Sequence, residues 1–147
     1  MELKVKSKAI KLIVKTRKII AIAREFKDNK FEDGFFTAIR ECNIELLTKI
    51  ILILAETEND KNPFETLDEV CDFLDDYIEG TGKTYTDVYM DIAKEINEKG
   101  FFSVKMTEEQ LQARVNDVMS SMNYEDIIKK SIEKMATEVV TEEFKGY

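Results

Sequence analysis

The first residues of the chain alternate in character. In residues 2–6, Leu3 and Val5 alternate with Glu2, Lys4 and Lys6; in residues 9–15, Ile10, Leu12 and Val14 alternate with Lys11 and Lys15, and only Ile13 breaks the pattern. Residues two apart share one face of a strand, so this alternation predicts two half-buried strands, with Ser7-Lys8 as a short turn between them. A competing reading makes residues 8–27 one helix in an all-α fold. Its phase is poor, because Lys8, Lys11, Lys15 and Lys18 would share a face with Ile19, Ile22 and Phe26. A hairpin ending near Lys15 removes the conflict. Thr16 can then cap a helix whose apolar stripe is Ile19, Ile20, Ala23 and Phe26.

From there the period becomes helical. Residues 31–41 place Phe31, Phe35, Ala38, Ile39 and Cys42 on one face. Asn43 suits the N-cap of a helix over residues 44–56, apolar nearly all round and so the expected central core helix. Residues 57–62 with Pro63 read as a loop. A helix over about residues 65–79 follows, with Leu67, Val70, Cys71, Leu74 and Ile78 inward and Gly80 placed to end it. Thr84 and Asp87 form a capping-box pattern opening a helix with Val88, Ile92 and Ile96 inward, which Gly100 ends. Residues 101–106 are an apolar connector. Thr107 and Gln110 repeat the capping pattern before Leu111, Val115, Val118 and Met119, and Asn123 suits the cap of a last helix striped by Ile127, Ile128, Ile132, Met135, Val139 and Val140. The expected fold is mainly α: a compact bundle of about six to seven short helices with a small N-terminal β-hairpin, in one domain over residues 1–147.

Composition supports that class and removes others. Gly 5 and Pro 1 among 147 residues are too few for an all-β fold built on tight turns. No apolar run approaches the ~20 residues that span a bilayer, and the run around residues 19–23 is too short for a secretion signal. The chain contains no His, which excludes Ser-His and Cys-His nucleophile pairs, His-ligated metals and a His general base. No enzyme activity, cofactor or metal is expected. Cys42 and Cys71 have neither redox nor zinc spacing and are expected as small buried hydrophobes.

The net charge of -8 hides an asymmetry. Residues 1–30 hold ten Lys/Arg against three acids, giving +7; residues 31–147 hold 12 against 27, giving -15. Such a division marks a nucleic-acid patch, or two parts that attract one another within the fold or between copies. The acidic whole, at pI ≈ 4.8, disfavours nucleic acid.

Three motifs invite chemistry. Gly80-Thr81-Gly82-Lys83-Thr84 ends like a phosphate loop, but Tyr77 stands where the first glycine belongs and a helix precedes it, so a helix-to-helix turn is expected. Asp68, Glu69, Asp72, Asp75, Asp76 and Glu79 make one helix strongly acidic, expected as a solvated face, with a docking face for a basic partner or a cation site as alternatives. Phe101 and Phe102, with Met119, Met122, Phe144 and Tyr147, are candidate partner-binding residues, since aromatics anchor interfaces and Met adapts to apolar partners; for the Phe pair, packing against the bundle end is the favoured reading and an exposed anchor the other.

The segments FETLDEVCDFLDDY (residues 64–77), IAKEINEKGFFSVKM (92–106), TEEQLQ (107–112) and VVTEEFKGY (139–147), taken in order, resemble tail assembly chaperones of siphophages and prophages of Gram-positive bacteria. The likeness runs from about Asp33 onwards and contains no catalytic signature. It implies a small, helical, non-enzymatic protein of the host bacterial cytoplasm, absent from the mature virion. Such a protein binds the tape measure protein, keeps its apolar helices in solution and helps recruit tail tube subunits, with self-association open. The alternative is a helical adaptor or regulator, binding nucleic acid through its basic start.

Overall fold

The computed structural model describes residues 1–6, 8–28, 30–57 and 61–116. Among these the fold is mainly helical with an N-terminal hairpin. Strand β1 (Glu2–Val5) pairs antiparallel with β2 (Lys8–Leu12), Leu3 opposite Ile10. Leu3, Ile10 and Leu12 are buried while Glu2, Lys4 and Lys11 face outward, as the alternation requires. The single-helix alternative over residues 8–27 is therefore replaced by β2 and a separate helix α1 (Thr16–Ala23).

Two details of that region depart from expectation. Thr16 is the first residue of α1 rather than its cap; Lys15 takes the cap position without a side-chain hydrogen bond. The stripe is also rotated. Ile22 is fully buried, Ile19 and Phe26 are half-buried, and Ile20 is 48% exposed. Lys18 shares the inward side with Ile22, one of the combinations that counted against a single helix over residues 8–27.

Helix α2 (Phe31–Glu41) buries Phe35, Phe36, Ala38 and Ile39. Gly34 in its first half is required by close approach: a Cβ there would lie 2.5 Å from the Phe26 ring. The helix ends with Cys42 left-handed at φ 52, the Asn43 N–H reaching Ala38 O at 2.9 Å and the Cys42 N–H reaching Ile39 O at 3.0 Å. Asn43 turns the corner and caps α3 (Ile44–Leu54) by accepting from the Leu46 N–H. Leu47, Ile50, Ile51 and Leu54 of α3 are essentially inaccessible, so this is the core helix. It stops short of the expected residue 56, because Ala55–Glu56 leave the helix as strand β3 and pair with Leu12 and Lys11 of β2.

Helix α4 (Leu67–Thr81) starts with a full capping box between Thr66 and Glu69. Its inward residues are Val70, Phe73, Leu74 and Tyr77; Cys71 is exposed, and the helix runs through Gly80 to stop at left-handed Gly82 (φ 74). The capping box of Thr84 and Asp87 opens α5 (Tyr85–Glu98), where Val88, Tyr89, Ile92, Ala93 and Ile96 are buried, and Gly100 (φ 80) turns the chain out. The Tyr89 hydroxyl donates to Asn43 O, which ties α5 to the α2–α3 corner. Thr107 and Gln110 then bond reciprocally to open α6 (Glu108–Asn116), with Leu111 and Val115 inward. Met1–Val115 forms one compact unit. The expected last helix, and the single domain to residue 147, extend beyond the described residues.

Candidate interaction surfaces

The basic start meets the acidic remainder in two ways. The first is a closed ion network. Glu56, in β3, is only 8% exposed. Its carboxylate accepts from Lys18 Nζ and, at 3.3 Å, from Lys15 Nζ, and Lys18 Nζ also donates to Leu54 O at 3.0 Å. The Lys18 side chain is 12% exposed and that of Lys15 38%. The Lys18 hydrogen bond chiefly holds the Glu56 carboxyl below the ordinary glutamate range; burial opposes this and Lys15 reinforces it. The network stitches α1 to the short strand β3.

The second meeting is open. Strand β1 is the edge of the sheet. Met1 and Leu12 exchange both backbone hydrogen bonds, at 2.8 and 3.4 Å. By antiparallel alternation Leu3 with Ile10 and Val5 with Lys8 are the next bonded pairs, so Glu2 and Lys4 aim their N–H and C=O groups away from β2. No described residue bonds to those groups. Helix α4 packs along β1 in the opposite direction and leaves clefts beside it. One of about 310 Å³ sets Val5, Lys6 and Lys8 against Asp72 and Asp76, and one of about 400 Å³ sets Lys4 and Lys6 against Asp76 and Glu79. No ion pair joins Lys4, Lys6 or Lys8 to α4 among the described residues. Lys8 instead lies 5.4 Å from the centre of the Phe64 ring and 5.7 Å from that of Phe73.

A third surface is the connector between α5 and α6. Phe102 is 6% exposed, 4.9 Å from Phe36 and 6.1 Å from both Phe31 and Phe35, ring centre to ring centre. Packing against the bundle therefore describes Phe102, which is not offered as an exposed anchor. Phe101 and Met106 are half-buried, and Val104 is 64% exposed. The connector is pinned at both ends. Glu32 accepts from the Ser103 N–H at 2.6 Å, and the Asn97 side chain exchanges hydrogen bonds with the Met106 backbone at 2.7 and 2.8 Å. Arg114 lies 4.8 Å from the Phe36 ring centre and bonds Glu32 at 2.9 Å and Asp33 at 2.6 Å. Partial burial alone would raise the Glu32 carboxyl, but the Ser103 N–H and Arg114 outweigh it and hold the group below its ordinary value.

The other candidates resolve simply. Met119, Met122, Phe144 and Tyr147 lie outside the described residues. Residues 80–84 end α4 and turn at 82–84 into α5, and Lys83 in that turn pairs with Asp91 at 2.7 Å and has its pKa raised chiefly by that bond. The acidic residues of α4 are exposed, and no group of three or more His, Cys, Asp or Glu among the described residues is placed to hold a metal ion. Cys42 and Cys71, expected inside, are both exposed. No helix among the described residues is long and apolar enough to cross a membrane. Sequence reasoning missed the buried role of Glu56, Phe73 and Tyr77, and the exposure of Val104. Comparison with protein families, characterised proteins and solved structures finds no match.

Proposed function

We propose that this chain is a tail assembly chaperone of the siphophage and prophage type, which binds tape measure protein in the host cytoplasm, keeps it in solution and assists the recruitment of tail tube subunits. The reading rests on the resemblance of residues 64–77, 92–112 and 139–147. The observation that carries it furthest is the connector of residues 101–106. Val104 is held out at 64% exposure by a loop fixed through Glu32 and Asn97, flanked by half-buried Phe101 and Met106. A pre-ordered apolar lip on a charged body is what a holder of apolar helices needs, because little ordering entropy is lost on binding. The alternative, a nucleic-acid-binding adaptor, is weakened because Lys15 and Lys18 are committed to Glu56.

Co-expression with tape measure protein tests the reading. The expected result is a soluble complex that co-purifies, and Val104→Asp, on an exposed site, weakens it about tenfold while leaving the melting temperature unchanged. Tape measure protein that stays equally insoluble with and without this chain would end the proposal. Steeply salt-dependent DNA binding would favour the adaptor.

A further inference from the structure

We infer that the free edge of β1 is a docking site for an extended protein segment whose side chains alternate basic and acidic. This goes beyond the chaperone reading and does not rest on it, since the occupant is a charged strand rather than an apolar helix. Three observations converge. Among the described residues nothing bonds to the outward backbone donors and acceptors of Glu2 and Lys4, which lie along one line, the requirement for adding a strand to a sheet. A cleft of about 400 Å³ reaches that line at Lys4, and one of about 310 Å³ continues past it at Val5, Lys6 and Lys8, so side chains at that end of an added strand have somewhere to go. Finally, the cleft has two banks of opposite charge that do not pair across it, lysines on the β1 side and Asp72, Asp76 and Glu79 on the α4 side.

An added strand continues the pleat of β1. Every second side chain falls on the solvent face beside Lys4, and the others fall on the α4 face over the clefts. A carboxylate suits the position beside Lys4, a neutral or basic side chain the position beside Glu2, and a Lys or Arg the positions over the acidic bank of the clefts. The same lysines that keep apolar edges from pairing with β1 thus admit a strand with alternating charge. A second copy fits less well. It would bring Leu3 and Val5 of one copy, instead of cations, toward the acidic bank of the other, and set two acidic α4 helices on the same side of one sheet.

The probe is a short capped peptide of alternating Lys and Glu, added to the whole protein at low salt and followed by amide NMR. The expected result is shifts confined to β1 and α4, with slowed exchange at the Glu2 and Lys4 amides. A peptide of the same composition in two blocks, and one N-methylated at alternate amides, should each bind about tenfold more weakly or worse. Lys4→Pro removes an outward N–H without touching the bonds to β2 and should cause a similar loss. If that variant misfolds, the N-methylated peptide on the native chain still decides the matter. Absence of binding, or equal binding of the alternating and N-methylated peptides, overturns the inference. So does a dimer of this chain that Lys4→Pro dissociates, because the edge would then belong to a second copy.

Discussion

The two contacts between the basic start and the acidic body have the same ingredients and opposite designs. At Glu56 the charges are drawn out of water and closed on one another, with Lys18 at 12% exposure and Glu56 at 8%. Along β1 and α4 they face each other across open clefts without an ion pair between Lys4, Lys6 or Lys8 and α4. The difference lies in what surrounds them. Lys18 sits one turn from Ile22, on the side of α1 that packs against α3, so its ammonium cannot reach water freely and needs an anion and a carbonyl. Lys4 stands on the outer face of an edge strand and Lys6 is exposed in the turn after it, where hydration already satisfies them. Opposite charge alone does not make a contact; burial decides whether the pair must close.

The sharpest way to break the closed contact is Glu56→Ala. It leaves Lys18 nearly buried with only the Leu54 carbonyl as partner, and the expected cost is about 3 kcal/mol in urea unfolding. A loss below about 1 kcal/mol would show that Lys18 escapes to water and that the contact is not closed in solution.

Acid should open the same contact without mutation. Lys18 and Lys15 depress the folded-state pKa of Glu56 below its ordinary value. Its contribution is therefore complete above the ordinary glutamate pKa and is lost as pH falls through that value and then through the lower folded value. Glu32, depressed by the Ser103 N–H and Arg114, adds a slope of the same sign. Melting temperature should fall across that window, and Glu56→Gln should flatten part of the slope while leaving the Glu32 part. An unchanged slope in the variant would remove Glu56 from the account.

A third change tests whether closure matters for stability or only for specificity. Replacing Lys18 and Glu56 together by Met removes both charges and keeps most of the volume, while Lys15, 38% exposed, can turn to solvent. The double variant should lie within about 1 kcal/mol of the native chain, far better than the single Glu56→Ala change. A double variant as unstable as the single one would mean that the network stabilises the fold outright.

These features differ in how far they could be read in advance. The hairpin was legible because Leu3, Val5, Ile10 and Leu12 alternate with charged residues, a signal local to a dozen positions. The caps at Asn43, Thr84 and Thr107 were legible for the same reason, as each uses residues within three positions. Glu56 was not, because its partner Lys18 is 38 residues away and strand β3 is two residues long, continuing an apolar helical run without any turn signal. Phe73 and Tyr77 were displaced by Cys71 and Ile78 in a helix so acidic that two apolar stripes competed, and only packing under β1 chose between them. Cys42 looked like the end of the α2 stripe, yet it sits where that helix reverses into a left-handed turn, which points it outward. Phe102 shows the converse. Its place in an irregular connector left an exposed anchor open beside the favoured packing on the bundle end, and Phe31, Phe35 and Phe36 of α2 supply the pocket for that packing.

The open contact should answer mutation with the smallest effect of all. Because Lys4 and Asp76 flank the same cleft without an ion pair, Lys4→Glu or Asp76→Lys should change stability by no more than about 0.5 kcal/mol. The double charge swap should behave as the sum of the two, since a double-mutant cycle reports coupling only where groups interact in the folded state. Coupling above about 1 kcal/mol would mean that the banks close on each other in solution, and the cleft would then lack room for a strand. Near-zero coupling together with a weaker hold on the alternating peptide would separate the two designs: one network of charges built to hold the fold, the other kept apart for something else to fill.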